Sequence, residues 1–314
     1  LHFDHIHIQG DGVAARTCAH LLHRAGFRVS FEHTSRTPVP AILLGDAALR
    51  LLRDIFERDD LFRDAPRIHK RIVSWGDTSA ELDHSAISVS EQTLLDGLGR
   101  IAQSEPANAA WTIRATGLSE SHRFGSRLAT AASVEMKSQQ ACWIESVDQG
   151  WLFLNSGWLL SVGEASLDQS KVIVNQIETI DASPSQFPAS PRMTAHLNGP
   201  NWLCCGTAAM AFDPLCGDGT AHAVREAILA SAVIRRIAQG DEPAPLLAHY
   251  EARLTAGFHR HLAECHNYYQ SGGSSSWWRD QAEASARGME WCRQKLESHG
   301  KFRYQLNGLE LFRI

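Results

Sequence analysis

The stretch IHIQGDGVAARTCAHLL, residues 6–22, sets the spacing Gly10-x-Gly12-x-x-Ala15 between two apolar patterns of different period. Phe3, Ile6 and Ile8 alternate as a buried strand does, whereas Cys18, Ala19, Leu21 and Leu22 recur at helical spacing. The helix is expected to end near Gly26, and FRVSFE then reads as a second strand closing on Glu32. Strand, glycine turn, helix and strand make a βαβ unit, which commits this part of the chain to an α/β arrangement. Glu32 lies 20 residues beyond Gly12, the separation of a carboxylate that binds an adenosine ribose hydroxyl. Each small residue has a task. Gly10 permits the tight turn, Gly12 lets backbone approach a pyrophosphate, and Ala15 lets helix and strand pack closely. The first helical turn offers free N–H groups and a partial positive charge to the phosphates. Asp11 would repel such a ligand unless its carboxylate turns away. The loop is expected to bind a dinucleotide.

Beyond Glu32 the pattern changes several times. After a Pro-bearing extended loop, GDAALRLLRDIFERDDLF reads as a helix and RIHKRIVSWG as an alternating strand. ISVSEQTLLDGLGRIAQ is a short strand running into a helix, and AAWTIRATG a strand ending at Ala115-Thr116-Gly117. From about residue 131 to 163, short Trp-rich alternating segments broken by turn residues predict an antiparallel sheet. KVIVNQIETI carries a mixed strand and helix signal, and DASPSQFPASPR is a Pro- and Ser-rich connection. NWLCCGTA returns as a buried strand, followed by a glycine-bearing loop and the helix AHAVREAILASAVIRRIAQ. From Pro243 onwards the chain is amphipathic and helical, interrupted at SGGSSSWWRD. The expected division is a dinucleotide-binding domain in two parts, residues 1–118 and 198–240. Residues 119–197 form an inserted antiparallel-sheet substrate domain, and residues 241–314 a helical tail.

Composition excludes other classes. With 44% hydrophobic and 21% charged residues among 314, a packed core is within reach and disorder is not the theme. A formal net charge of −5 without a dense Lys/Arg face argues against nucleic acid as a partner. No apolar run approaches the ~18 residues of a membrane span, and no basic leader segment precedes the first strand. Seven cysteines without framework spacing predict a reduced, cytoplasmic protein.

Three separated stretches resemble the flavoprotein monooxygenases of the para-hydroxybenzoate hydroxylase type, a group that includes the flavin-dependent halogenases. The first is the unit of residues 10–32, with Arg36 four residues beyond the acid. The second is WTIRATGLSESHRFG, in which an Ala-Thr-Gly strand end at Gly117 precedes an Arg. The third, CGTAAMAFDPLCGDGTAHAVREA, is similar to the family's Gly-Asp-Ala-Ala…Pro…Gly-x-Gly pattern at the flavin ring. The resemblance implies an α/β fold: a Rossmann-like FAD-binding domain with an inserted antiparallel β-sheet substrate domain and a helical C-terminal tail. It implies FAD as the cofactor, held at one end by Gly10, Gly12, Ala15, Glu32 and Arg36. Gln92, at a helix start where the family often carries Arg or Gln, and Gly117 would add contacts. Thr207 stands where the family usually has Asp. At the ring, Asp213 and Pro214 would fix a turn, while Gly217, Gly219 and Thr220 present bare N–H groups that stabilise negative charge on the reduced flavin.

Other constellations weigh less. His261 and Cys265 fall at i, i+4, but no third ligand converges in the sequence, so a packed helix and no metal is the expectation. Trp151 and Trp158 in the inserted sheet are the candidates to stack a planar substrate. No G-x-S-x-G elbow is present. No catalytic side chain is assigned, because flavin oxygenation draws its reactive group from the cofactor. The expected protein is an FAD-dependent oxidoreductase, a monooxygenase acting on an aromatic or electron-rich small molecule, with electrons from NAD(P)H or a separate reductase. The alternative is a flavin-fold protein without catalysis that acts as a binding or maturation partner; Thr207 and the short chain favour it. Halogenation is not expected. GWLFLNSG has one Trp and no Ile-Pro where the halogenases carry Trp-x-Trp-x-Ile-Pro, and Lys70, the only lysine in the first part of the chain, reads as a surface residue.

Overall fold

A strand buried on both faces needs cover on both, and His5–Gln9 obtains it inside a sheet, between Trp111–Arg114 and Arg28–Glu32. A computed structural model describes the chain except residues 1, 35–37, 100, 102–103, 105–107, 118–119, 182 and 300–302. The first sheet runs in the order Asn198–Gly199, Trp202–Cys204, Trp111–Arg114, His5–Gln9, Arg28–Glu32. All its joins are parallel except the edge pair formed by Asn198–Gly199. Ile6, Ile8, Phe31, Ile113 and Leu203 are fully buried, each such side chain contributing about 1.5–3 kcal/mol. Helices Val13–Arg24 and Gly219–Ala238 pack on one another and complete this core through Cys18, Ala227 and Ala230. In register, Gln9 faces both Glu32 and Arg114. Gly10, Glu32 and Ala115 therefore gather at the carboxyl ends of neighbouring strands, the edge where open α/β sheets bind ligands.

The second sheet has nine strands. Its order is Ile177–Ile180, Leu128–Met136, Trp158–Gly163, Gly150–Asn155, Ala141–Val147, Arg67–Trp75, Thr78–Val89, Ile42–Gly45, with Ser185–Pro188 also paired to Leu128–Met136. The Trp-rich antiparallel region is as expected, yet the sheet is not confined to residues 119–197. It takes three strands from the earlier part of the chain, joined through a parallel pairing of Arg67–Trp75 with Ala141–Val147. Alternation in RIHKRIVSWG announces a strand without naming its partner, and a parallel partner 71 residues away leaves no local trace.

Helices Pro243–Ser271 and Ser276–His299 pack along each other. The break between them is shorter than the sequence suggests, because Trp277 and Trp278 already belong to the second helix. Trp278 is fully buried in a cluster with Trp75, Trp151, Tyr269 and Trp277 that clamps both helices onto the nine-stranded sheet. The C-terminal region also departs from the expected helical tail. Tyr304–Asn307 and Glu310–Arg313 form a β-hairpin turning at Gly308, which takes φ +57°. An Asn-Gly pair between alternating residues is a hairpin signal in its own right.

Candidate functional site

Gly10 takes φ +116°, and a Cβ there would stand 3.0 Å from Thr116 Cβ, so both conformation and the close approach of the next strand end require glycine. Its N–H donates to the Glu32 carbonyl at 2.9 Å and ties the loop to the second strand. Gly12 has φ −81° and ψ −178°, extended backbone open to any residue, so its contribution is the missing side chain. It caps the helix Val13–Arg24 with no side-chain bond, and the first turn carries no acid. By contrast, the helix Glu91–Gly97 is capped by Ser90, and Asp46–Phe56 begins with Asp46. A bare helix N-terminus of this kind is suited to an anionic ligand. Asp11 does not oppose one: its carboxylate pairs with Arg16 at 2.6 Å and His33 at 2.9 Å. Ala15 is buried against the core. The Glu32 carboxylate accepts from Gln9 Nε2 at 3.1 Å and keeps 52% of its side chain exposed.

The helix Gly219–Ala238 likewise opens without a side-chain cap bond: its N-cap Asp218 turns its carboxylate to His222 at 2.7 Å, and Thr220 lies in the first turn. The chain reaches it through a tight turn at Pro214–Cys216, where Asp213 Oδ1 accepts the Leu215 N–H at 3.0 Å and Gly217 takes φ +68°. A Cβ at Gly117, Gly217 or Gly219 would meet nothing within 4 Å, so all three border open space. Between the two helix starts lies the turn Gly206–Ala208. Gly206 takes φ +57°, and a Cβ there would lie 2.7 Å from Ala14 Cβ, so helix and turn touch closely. Thr207 is exposed, and its hydroxyl donates to the Ala115 carbonyl at 3.2 Å. Behind this turn the Glu226 carboxylate accepts the Gly206 N–H at 2.8 Å, and burial pushes its carboxyl up to about 8.

The fold is shared with flavin-dependent halogenases and hydroxylases. The peptidyl tryptophan dihydroxylase QhpG, essential for tryptophylquinone cofactor biogenesis, matches with a TM-score of 0.75 at 16% identity, covering 99% of this chain and 86% of its own. The flavin-dependent halogenase CmlS matches at 0.72 and 15%, covering 95% and 72%. The 2,6-dihydroxypyridine-3-hydroxylase from Arthrobacter nicotinovorans matches at 0.63 and 14%, covering 87% and 94%. No protein-family model matches the sequence, and no curated protein is significantly similar to it.

Several expected site residues sit elsewhere. Trp151 is only 1% exposed, packed in the clamp with its Nε1 at 3.4 Å from Tyr269 Oη, so it is core and not a stacking surface. Trp158 is half-buried and lies opposite Asn155 on the same sheet face. Gln92 is exposed and donates along its own helix to Asp96 at 3.0 Å; the buried acid of that turn is Glu91, which accepts the Val39 N–H at 2.7 Å. Arg36 lies outside the described residues. The Asp213 carboxylate is turned inward, paired with Arg127 at 3.0 Å with both side chains fully buried and accepting from Tyr269 Oη at 2.8 Å. Its task is to hold the turn from within. Lys70 is exposed and paired with Glu81 and Asp83. A register shift between Ile68 and Lys70 separates it from the buried Ile68.

Sequence reasoning missed Arg127, Glu226 and Tyr250, whose hydroxyl donates to the Cys204 carbonyl at 2.6 Å. It also missed Cys216, which lies with His261 and Cys265 within 4.8 Å, a grouping that no local spacing announces. Among the described residues no helix is long and apolar enough to cross a membrane.

Proposed function

We propose that this protein is an FAD-dependent monooxygenase acting on an electron-rich aromatic ring. The observation that carries the reading is the bare helix N-terminus at Gly12 together with the uncapped helix start at Gly219 and the carboxylate of Glu32, on a fold shared with flavin-dependent halogenases and with hydroxylases. The residues present fit FAD. Val13–Arg24 offers free N–H groups and no competing acid to a pyrophosphate, Glu32 offers an acceptor to ribose hydroxyls, and Gly217 and Gly219 border open space as a flat ring requires. Thr207 is an exposed hydroxyl in the position of the family's Asp, so the ribityl chain would meet a neutral partner.

FAD, when bound, supplies the oxygen-activating chemistry. The chain's part is to bind it, to neutralise charge that develops at the helix start of Gly219–Ala238, and to keep the substrate face dry. In the nine-stranded sheet Trp158, half-buried opposite Asn155, is our candidate to meet the substrate. Among proteins of this fold, one hydroxylates peptidyl tryptophan and another 2,6-dihydroxypyridine. Both rings are electron-rich, which supports that substrate class here.

The test is reconstitution. Purified protein should turn yellow with stoichiometric FAD and, once reduced by NAD(P)H or a reductase, consume oxygen and hydroxylate an aromatic acceptor. Supplying bromide or chloride should give no halogenated product, and Lys70→Ala should change nothing. Folded protein that stays colourless under saturating FAD would overturn the reading and leave a binding or maturation role. Halide-dependent product abolished by Lys70→Ala would instead restore the halogenase.

A further inference from the structure

The turn that precedes the helix Gly219–Ala238 meets the helix Pro243–Ser271 at three metal-ligating side chains. Cys216, His261 and Cys265 bring one ligand atom each to within 4.8 Å of one another. Cys216 Sγ lies 3.7 Å from Cys265 Sγ, and Cys265 Sγ lies 3.4 Å from His261 Nε2. Both cysteines are free thiols. A tetrahedral ion bonded to sulfur at about 2.3 Å and to nitrogen at about 2.0–2.1 Å sets S···S edges near ~3.8 Å and S···N edges near ~3.6 Å. The Cys216–Cys265 and Cys265–His261 separations fall close to these edges, and the third pair lies within 4.8 Å.

The chemistry of the donors agrees. Two sulfurs and an imidazole nitrogen form a soft set that selects a thiophilic ion over magnesium or calcium. Cys216 is partly exposed, which gives an ion a way in.

We propose that Cys216, His261 and Cys265 form a three-ligand Zn(II) site whose fourth position faces the solvent side of Cys216. On loading, two S–H bonds break, two Zn–S bonds form, and both protons pass to solvent. The Asp213 N–H, which donates to His261 Nε2 at 2.8 Å, gives up that bond to the metal. The site ties the turn bearing Gly217 to the C-terminal helix, so it stands independently of which cofactor the neighbouring helix start binds.

The experiment uses the whole chain, reduced, stripped with chelator and handled without oxygen, with Co(II) as the probe. One equivalent should produce the thiolate-to-cobalt charge-transfer band in the near ultraviolet and the strong visible absorption of a tetrahedral site, and Zn(II) should bleach both. Cys265→Ser and His261→Gln should each weaken Co(II) binding about 10–100-fold, while Cys292→Ala, at a buried thiol outside the cluster, leaves the spectrum intact. In unmodified protein, Zn(II) should slow alkylation of Cys216 about tenfold or more, since the bound thiolate is no longer a free nucleophile. This last readout does not depend on a variant that folds. Folded, reduced protein with no thiolate–cobalt band, bands that survive Cys216→Ser with Cys265→Ser, or a Cys216 alkylation rate indifferent to Zn(II) would each overturn the site.

Discussion

Replacing Glu226 by Gln should remove a measurable part of the protein's alkaline destabilisation. Glu226 lies fully inside the core on the helix Gly219–Ala238, where its carboxylate accepts the Gly206 N–H. Burial disfavours its charged form and moves it from 4.5 to about 8. An acid raised in this way holds its proton more firmly folded than unfolded. Its contribution is full below 4.5 and is lost as pH rises to about 8. The buried His249 and His261, both pushed down to about 4 by burial, act in the opposite sense: their contribution is full above 6.5 and is lost as pH falls towards 4. Above 6.5 the histidines are silent, and the neighbouring thiol of Cys205 is raised well above 9.0. The interval from pH 6.5 to about 8 therefore isolates the carboxyl. It spans about 1.5 pH units at roughly 1.4 kcal/mol each, or about 2 kcal/mol.

Glu226→Gln keeps the volume and the acceptor for Gly206 but does not titrate. Between pH 6.5 and 8.5 it should lose about 2 kcal/mol less than the parent in urea unfolding, or roughly 3 °C less in thermal midpoint for a chain of this length. Whatever fixed cost its buried amide adds is the same at both pH values and drops out of the difference. Parallel curves for parent and variant would refute the reasoning and show that Glu226 is already ionised, with a partner that offsets its burial.

Gly12→Val should leave the chain folded, since the backbone there is extended, yet abolish FAD uptake by placing a branched side chain where phosphate must approach; unchanged flavin content in soluble variant would remove the loop from the site. Glu32→Ala should weaken FAD binding by about 1.5–3 kcal/mol, the range for a hydrogen bond to a charged group, read by flavin fluorescence titration; coincident titrations would reduce Glu32 to a strand-end residue. Asp213→Asn should cost about 3–5 kcal/mol in urea unfolding because it strands the Arg127 guanidinium at a fully buried site. Adding Arg127→Met should recover much of that loss, and a double variant as unstable as the sum of its parts would show that the pair is not coupled.

The first βαβ unit was legible in the sequence because everything that specifies it is local. A period-two run, two glycines, a helical run and a carboxylate within 30 residues determine the turn, the helix start and the position of Glu32, and the structure matches each. The glycines before the helix Gly219–Ala238 were legible for the same reason. What the tertiary structure alone decided is partnership across the chain. Alternation marked RIHKRIVSWG as a strand, but only packing could join it in parallel to Ala141–Val147, because a ladder between distant strands leaves no spacing in either one. Trp151 has the composition of a stacking residue, and whether it meets a ligand or Tyr269 depends on where the helix Pro243–Ser271 docks. Asp213 reads as a turn residue, and its inward pairing depends on Arg127, some 86 positions earlier. His261 and Cys265 were visible as an i, i+4 pair from helical geometry alone. Cys216 reaches them only because its turn packs against the helix Pro243–Ser271, and side chains brought together by such packing share no sequence register.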